Sequence, residues 1–283
     1  MDKIKKKQHY VWRKYLKPWT QDNKIWCKMN EKIFQTSLVN IGNETYFYEV
    51  ERLNETEEEI IYTALKKFPK ENLPVLMDIL INYRLFSEYS DISRKNGLEN
   101  YHNFIENMFD PILENVYKRD LAFLKNDYYR ANFSYFIGLQ YTRTKKSLSN
   151  LQEGFNYIPT PDEIKGNFNP ETISRIFGLI IAESIGNWIH SKSNIYFFES
   201  DNELITGDQP IINIRANYKI NGVPKRIELY YPLTPNLALF ITDRTSCDRI
   251  LKKEDANFLN YQIKFKSYEQ LYSKAHNTLI EYK

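Results

Sequence analysis

Residues 54–68, NETEEEIIYTALKKF, are where the hydrophobic period of the chain changes. Ile60, Ile61, Ala64, Leu65 and Phe68 recur at intervals of three and four, the spacing of one helical face. Thr56 with Glu59 three residues on has the spacing of a capping box. Before this point the chain reads as extended. Lys24–Met29 (KIWCKM), 32–41 (KIFQTSLVNI) and 45–50 (TYFYEV) carry the Val, Ile, Thr, Tyr and Phe chemistry of strands, and Met29–Lys32 is the expected turn between the first two.

After this point the helical period persists. LPVLMDILINYRLFSEYS (73–90) accepts Pro74 in its first turn. LENYHNFIENMF and PILENVYKRDLAFL follow, with a break or kink expected at Asp110–Pro111. DYYRANFSYFIGLQYTRTKK turns Phe133, Phe136, Ile137, Leu139 and Gln140 inward, and NPETISRIFGLIIAESIGNWIHS is the most apolar segment. Residues 55–191 therefore predict about five or six helices, with a Gly/Pro/Asn-containing loop near 154–170. Short strand-like segments return after 191 (NIYFFES, ELITGD, PIINIRA, RIELYYPL, LALFITD), and EDANFLNYQIKFKSYEQLYSKA closes the chain as a helix. The expectation is an α+β fold: a central helical block flanked by N-terminal strands and a C-terminal antiparallel sheet with a closing helix. One domain over 1–283 contains three segments, 1–54, 55–191 and 192–283, and the first strands are placed to join the late sheet.

Composition excludes several classes. With 42% hydrophobic and 27% charged residues, and only 9 Gly and 11 Pro, the chain is neither disordered nor collagen-like. A net charge of +3 does not by itself indicate nucleic acid, which requires local clustering of cations. The longest apolar run, Ile176 to Ala182, is far short of a membrane span, and the polar N-terminus lacks the apolar region of a secretory signal. Two widely separated cysteines, Cys27 and Cys247, read as free thiols in a reducing compartment. A soluble cytoplasmic protein with no membrane partner is expected. Its oligomeric state and cofactors are not specified by these features.

Five stretches taken in order carry a resemblance: QHYVWRKYL (8–16), FIGLQYTRT (136–144), ITGDQPIIN (205–213), YYPLTPNLALFI (230–241) and NFLNYQI (257–263). Together they resemble the bacterial domain-of-unknown-function family DUF4238, whose members typically open His-Tyr-Val-Pro, continue Tyr-Leu, and carry Ser-Asp-Asn-Pro late in the chain. The likeness spans about Gln8 to Asn260. Trp12 replaces the usual proline, and Gly207-Asp208-Gln209-Pro210 replaces Ser-Asp-Asn-Pro while keeping Asp208 and Pro210. The resemblance implies an architecture and a residue set, not a reaction.

Of the residues able to carry chemistry, His9 stands first, as an acid, base or ligand, or as a histidine that pins the first strand by backbone hydrogen bonds. Gln140 and Arg143 lie three apart on one helical face. There they form either a clamp for a phosphate, carboxylate or base, or an internal ion pair with Asp208. Asp208 itself is a turn-former or a carboxylate orienting His9. Glu183 is an acid on an apolar helix, with Asn187 one turn on; it either meets a cation or lines a cleft. His102, His190 and His276 read as surface residues, and Glu57-Glu58-Glu59 as a solvated helix start. No P-loop, GxSxG, HExxH or CxxC motif occurs. PDEIK (161–165) has the letters of a metal-dependent nuclease motif but not the separate strands such a site needs.

Two function classes follow. One is a nucleic-acid-processing, nuclease-like hydrolase with RNA or DNA as partner. In it His9, Asp208 and Glu183 are catalytic, and Arg143, Gln140, Tyr10 and Tyr15 bind substrate beside the basic-aromatic segment KKQHYVWRKYLKPWT (6–20). The other is a non-enzymatic binding module in which the same residues form a structural polar network.

Overall fold

The computed structural model describes residues 3–155, 166–216, 226–245 and 249–282. Five elements precede the helical block: β1 (Lys7–His9), a single helical turn α1 (Arg13–Leu16), β2 (Lys24–Met29), β3 (Lys32–Ser37) and β4 (Asn43–Thr45). The turn between β2 and β3 falls at the expected place. Asn30 and Glu31 both take positive φ (49° and 63°), the geometry of a two-residue hairpin that follows the twist of its strands. TYFYEV is only marginally extended: β4 ends at Thr45. β1 pairs antiparallel with β4, setting His9 opposite Asn43.

Six helices follow: α2 (Glu55–Leu65), α3 (Leu73–Tyr89), α4 (Asp91–Tyr117), α5 (Asp127–Thr142), α6 (Lys145–Phe155) and α7 (Pro170–Lys192). The cap of α2 lies two residues earlier than its spacing suggested. The Asn54 side chain accepts from the Glu57 amide, and Glu57 Oε2 accepts from the Asn54 amide, both at 2.9 Å. Glu57 Oε1 also accepts from the Asn169 amide at 2.8 Å, so this buried carboxylate ties together the starts of α2 and α7 instead of standing in solvent. α4 runs through Pro111 without interruption. Proline leaves the Asn107 carbonyl without its helical donor, but Asn107 is exposed, and Phe109, Ile112, Leu113 and Val116 bury the helix on either side. α5 and α7 pack closely where Gly138 faces Ala182 and Gly186 faces Tyr135.

The remaining elements are β5 (Asn194–Ser200), β6 (Thr206–Gly207), β7 (Ile212–Asn213), β8 (Glu228–Thr234), β9 (Leu237–Thr242), β10 (Arg249–Leu251), α8 (Lys253–Lys266), β11 (Gln270–Ser273) and α9 (His276–Ile280). A five-stranded sheet has the order β10-β5-β9-β8-β7, antiparallel except for β10 on β5. A second sheet, β3-β2-β11-β6, joins the N-terminal hairpin to the C-terminal part of the chain. β11 corrects the expected closing helix: α8 stops at Lys266, and residues 270–273 pair antiparallel with both β2 and β6. The architecture is α+β, with N-terminal strands, a central helical block and a C-terminal sheet.

One hydrophobic core draws on all three segments of the chain, from Tyr10, Tyr15 and Trp19 through Phe109 and Phe136 to Tyr231 and Tyr272. Among the described residues no helix is long and apolar enough to cross a membrane. Cys27 is a free, buried thiol; Cys247, the PDEIK segment and most of the expected 154–170 loop lie outside the described residues.

Candidate functional site

The N-terminal segment does not alternate as a strand would. Arg13–Leu16 coil into α1, which sends Tyr15 and Leu16 inward together and leaves Arg13 in solvent. Tyr15, expected to touch substrate, is wholly buried. Its phenol donates to the Pro232 carbonyl and meets Thr206 Oγ1, each at 2.7 Å, while its ring stacks on Tyr231. Tyr10 is also fully buried, packed on Phe47 with its hydroxyl 3.5 Å from Gln270 Nε2. Trp19 donates to the Leu204 carbonyl, and Trp12 packs edge-on against Phe109 and Phe136. These rings fasten the segment to the core, so they offer no stacking platform for bases. The cations between them do face water: Lys6, Lys7 and Arg13 are exposed and form no ion pair among the described residues.

Asp208 is fully buried. Its oxygens accept from the backbone amides of Tyr268 (2.8 Å), Glu269 (2.9 Å) and Gln270 (3.0 Å). Burial pushes its carboxyl up to about 6 against the pull of those three amides. The adjoining Gln209 donates to the carbonyls of Tyr141 (3.0 Å) and Ile211 (2.7 Å) and accepts from Thr144 Oγ1. The Gly207–Pro210 turn thus clamps the end of α5 to the chain entering β11. Among the described residues Asp208 orients no histidine and pairs with no arginine; its oxygens accept from backbone amides.

Glu183 lies apart from the other candidates. It accepts from Asn187 Nδ2 at 3.1 Å on α7, and burial raises its carboxyl. It lies near the Tyr101–Tyr135 phenol pair, whose oxygens are 2.5 Å apart and whose ionisation its charge opposes.

The remaining candidates converge. Arg143, at the C-terminal end of α5, is almost fully buried. Its Nη2 lies 2.5 Å from Glu106 Oε1. The Gln140 side-chain oxygen, in the amide orientation that satisfies both partners, accepts from Arg143 Nε at 2.9 Å and Nη2 at 2.7 Å. Glu106 belongs to a polar stripe on α4, Glu99–His102–Glu106, spaced three and four so that all three share one face, and all three are buried. Sequence reasoning passed over this stripe. The signal was present: the run ENYHNFIE sets Glu, His and Glu at core spacing on a helix.

His9, at the end of β1, is linked to this group through the charge of Arg143. It is half-buried, and its Nε2 is buried without a hydrogen-bond partner. Burial, then Arg13, Arg143 and Lys7, hold the imidazole down at about 4, so it is neutral near pH 7. Glu99 is displaced the other way. Burial raises it to about 7, the Glu106 charge adds to the rise, and Arg143, Lys5 and a 3.4 Å hydrogen bond from Asn103 oppose it. His102 is buried and held well below its usual range by burial and by Arg143 and Arg175. This corrects its reading as a surface residue. One exchangeable proton near neutrality, on Glu99, therefore sits beside the fixed Arg143 guanidinium and on the same helix face as the neutral imidazole of His102, a set of groups suited to general acid–base work. Among the described residues no group of three His, Cys, Asp or Glu is arranged to hold a metal.

A family model for a protein of unknown function, DUF4238, matches residues 7–277, nearly the whole chain. The protein belongs to the DUF4238 family. No curated protein and no solved structure matches it significantly.

Proposed function

We propose that the cluster of His9, Glu99, Glu106 and Arg143 is the acid–base centre of a hydrolase acting on a phosphate-bearing polymer, RNA or DNA. The observation that carries the reading is the unpartnered, buried Nε2 of His9, held neutral by burial and by the charge of the same Arg143 that faces Glu99, a carboxyl poised near pH 7. A neutral imidazole can take a proton from an attacking hydroxyl or water, and a protonated Glu99 can return one to the leaving oxygen. Lys6, Lys7 and Arg13 supply exposed, unpaired cations on the same segment as His9, suited to the charge of a phosphate backbone. Arg143 acts from behind, holding Glu106 and biasing both titrating groups. Asp208, Glu183, Tyr10 and Tyr15 have no part in this chemistry.

The test is cleavage of labelled RNA and DNA by the wild type, His9→Ala and Glu99→Gln, with the melting temperature measured alongside. Removal of one proton-transfer group is expected to slow cleavage ~100-fold or more while the variants stay folded. Absence of cleavage by the wild type, or undiminished cleavage by folded His9→Ala, overturns the reading.

The alternative, a binding module without chemistry, draws support from the saturation of Arg143 by Glu106 and Gln140 and from the inward packing of Tyr10, Tyr15 and Trp19. Nucleic acid retained by the wild type without cleavage, and lost on charge reversal at Lys7 and Arg13, is the outcome that selects it.

A further inference from the structure

His9 owes its setting to more than its own strand. β1 pairs over three residues with β4 in a sheet of two strands, too small to be stable by itself in water. Alternation along β1 turns Gln8 to the side away from His9, and Gln8 is fully buried. Its amide is bonded at both ends. Nε2 donates to the Lys95 carbonyl at 2.6 Å and to the Lys5 carbonyl at 3.3 Å, and Oε1 accepts from the Tyr48 amide at 2.6 Å. Asn96, the next residue on α4, is also buried and answers in kind. Its Oδ1 accepts from the Lys5 amide at 3.0 Å, and its Nδ2 donates to the Lys3 carbonyl at 3.1 Å. Two side-chain amides thus stand in for strand partners and bind the 3–8 segment to the first turns of α4. Lys95 precedes Glu99 by one turn of that helix, and the Tyr48 ring packs 4.3 Å from the His102 ring. The same bonds therefore place His9 relative to the helix that carries Glu99, His102 and Glu106.

We propose that Gln8 and Asn96 are positioning residues: their amides hold β1 on α4 and keep His9 half-buried, and without them the imidazole turns out to solvent. The assignment stands apart from the acid–base reading, because it concerns where His9 sits and not what it does. Burial is the first cause of the low basicity of His9. Arg13 of α1, Arg143 at the end of α5 and Lys7 of β1 act in the same direction, and a backbone hydrogen bond at Leu38 opposes them. Release of the strand removes the first cause, so the imidazole then takes up its proton at higher pH.

The test follows the His9 ring by proton–nitrogen NMR against pH in the wild type, Gln8→Met and Asn96→Leu, with His9→Ala to assign the signal. The wild-type midpoint is expected at about 4. In each folded variant it should rise by ~1 pH unit or more toward the ordinary 6.5, while the signals of His190 and His276 stay in place. A general loss of stability would not move one histidine alone. Hydrogen exchange of the wild type supplies a second measurement that needs no variant. The Tyr48 and Lys5 amides, which end on these two side chains, are expected to exchange ~10-fold or more slowly than exposed loop amides. A wild-type midpoint already near 6.5, a midpoint unmoved in either folded variant, or Tyr48 and Lys5 amides that exchange like exposed ones overturns the proposal.

Discussion

Replacing Glu99 by Gln isolates the titrating group on which the acid–base reading depends. Glu99 is raised from its ordinary 4.5 to about 7, so the folded chain holds its proton more tightly than the unfolded chain does. The sign follows from linkage: the contribution of this group to stability is complete below pH 4.5 and is lost as the pH climbs through about 7. At ~1.4 kcal/mol per pH unit, that gap destabilises the fold by ~3 kcal/mol on the alkaline side. Gln keeps the shape and the Asn103 contact but cannot ionise, so the loss should vanish with it. Urea unfolding of the wild type and of Glu99→Gln at about pH 5 and about pH 8 reads the effect directly. Between those conditions the wild type should lose ~2–3 kcal/mol more than the variant, because most of the change falls above pH 5. The groups facing Glu99 are Arg143, Glu106, Asn103 and Lys5, and all four are present in both proteins, so the double difference belongs to Glu99. Equal pH dependence of the two proteins refutes the argument. Arg143 would then be offsetting the burial of Glu99 in full, and no proton would be held near neutrality for catalysis.

Two further substitutions test the structural assignments. Asp208→Asn should cost ~2–5 kcal/mol in urea unfolding, since an amide nitrogen would face backbone donors and orphan one or two of the three bonds at Tyr268, Glu269 and Gln270; a cost under ~0.5 kcal/mol contradicts the role given to that carboxylate. Gly138→Ala would set a Cβ 2.2 Å from the Ala182 carbonyl oxygen, which α7 cannot yield without parting from α5, so a melting temperature close to wild type would show that this contact is not close-packed.

The elements that were legible in the sequence are those whose cause is local. The helical period from residue 54, the turn at Asn30–Glu31, Pro74 in a first turn and the inward face of α5 each follow from side chains within one or two turns of each other. The misreadings have distant causes. EQLYS continues a helical pattern after α8, yet Asp208, some sixty residues earlier in the chain, gathers the amides of 268–270 and turns this stretch into the central strand between β2 and β6. Pro111 signals a break, but packing on both sides of it and the exposed position of Asn107 make the lost hydrogen bond affordable.

The same division explains what could be seen of the site. His9, Gln140, Arg143 and Asp208 stand out in single stretches, and the pairing of Gln140 with Arg143 is a short-range fact of one helix. The partner of Arg143 is not. Asp208 was one partner the sequence offered, whereas the fold supplies Glu106, because the carboxyl of Asp208 is already taken up by backbone amides with no charge of their own. A buried guanidinium needs an anion, and the only rule available from sequence is to look for acids on the buried face of another helix. Glu99 and Glu106 meet that rule through their spacing about His102. Glu183 also meets it, but its helix turns it toward the Tyr101–Tyr135 pair. What separates the two cases is the direction in which α4 and α7 face α5. That property belongs to the packed helices, and the close approach of Gly138 to Ala182 fixes it for α7 by pinning that helix against α5.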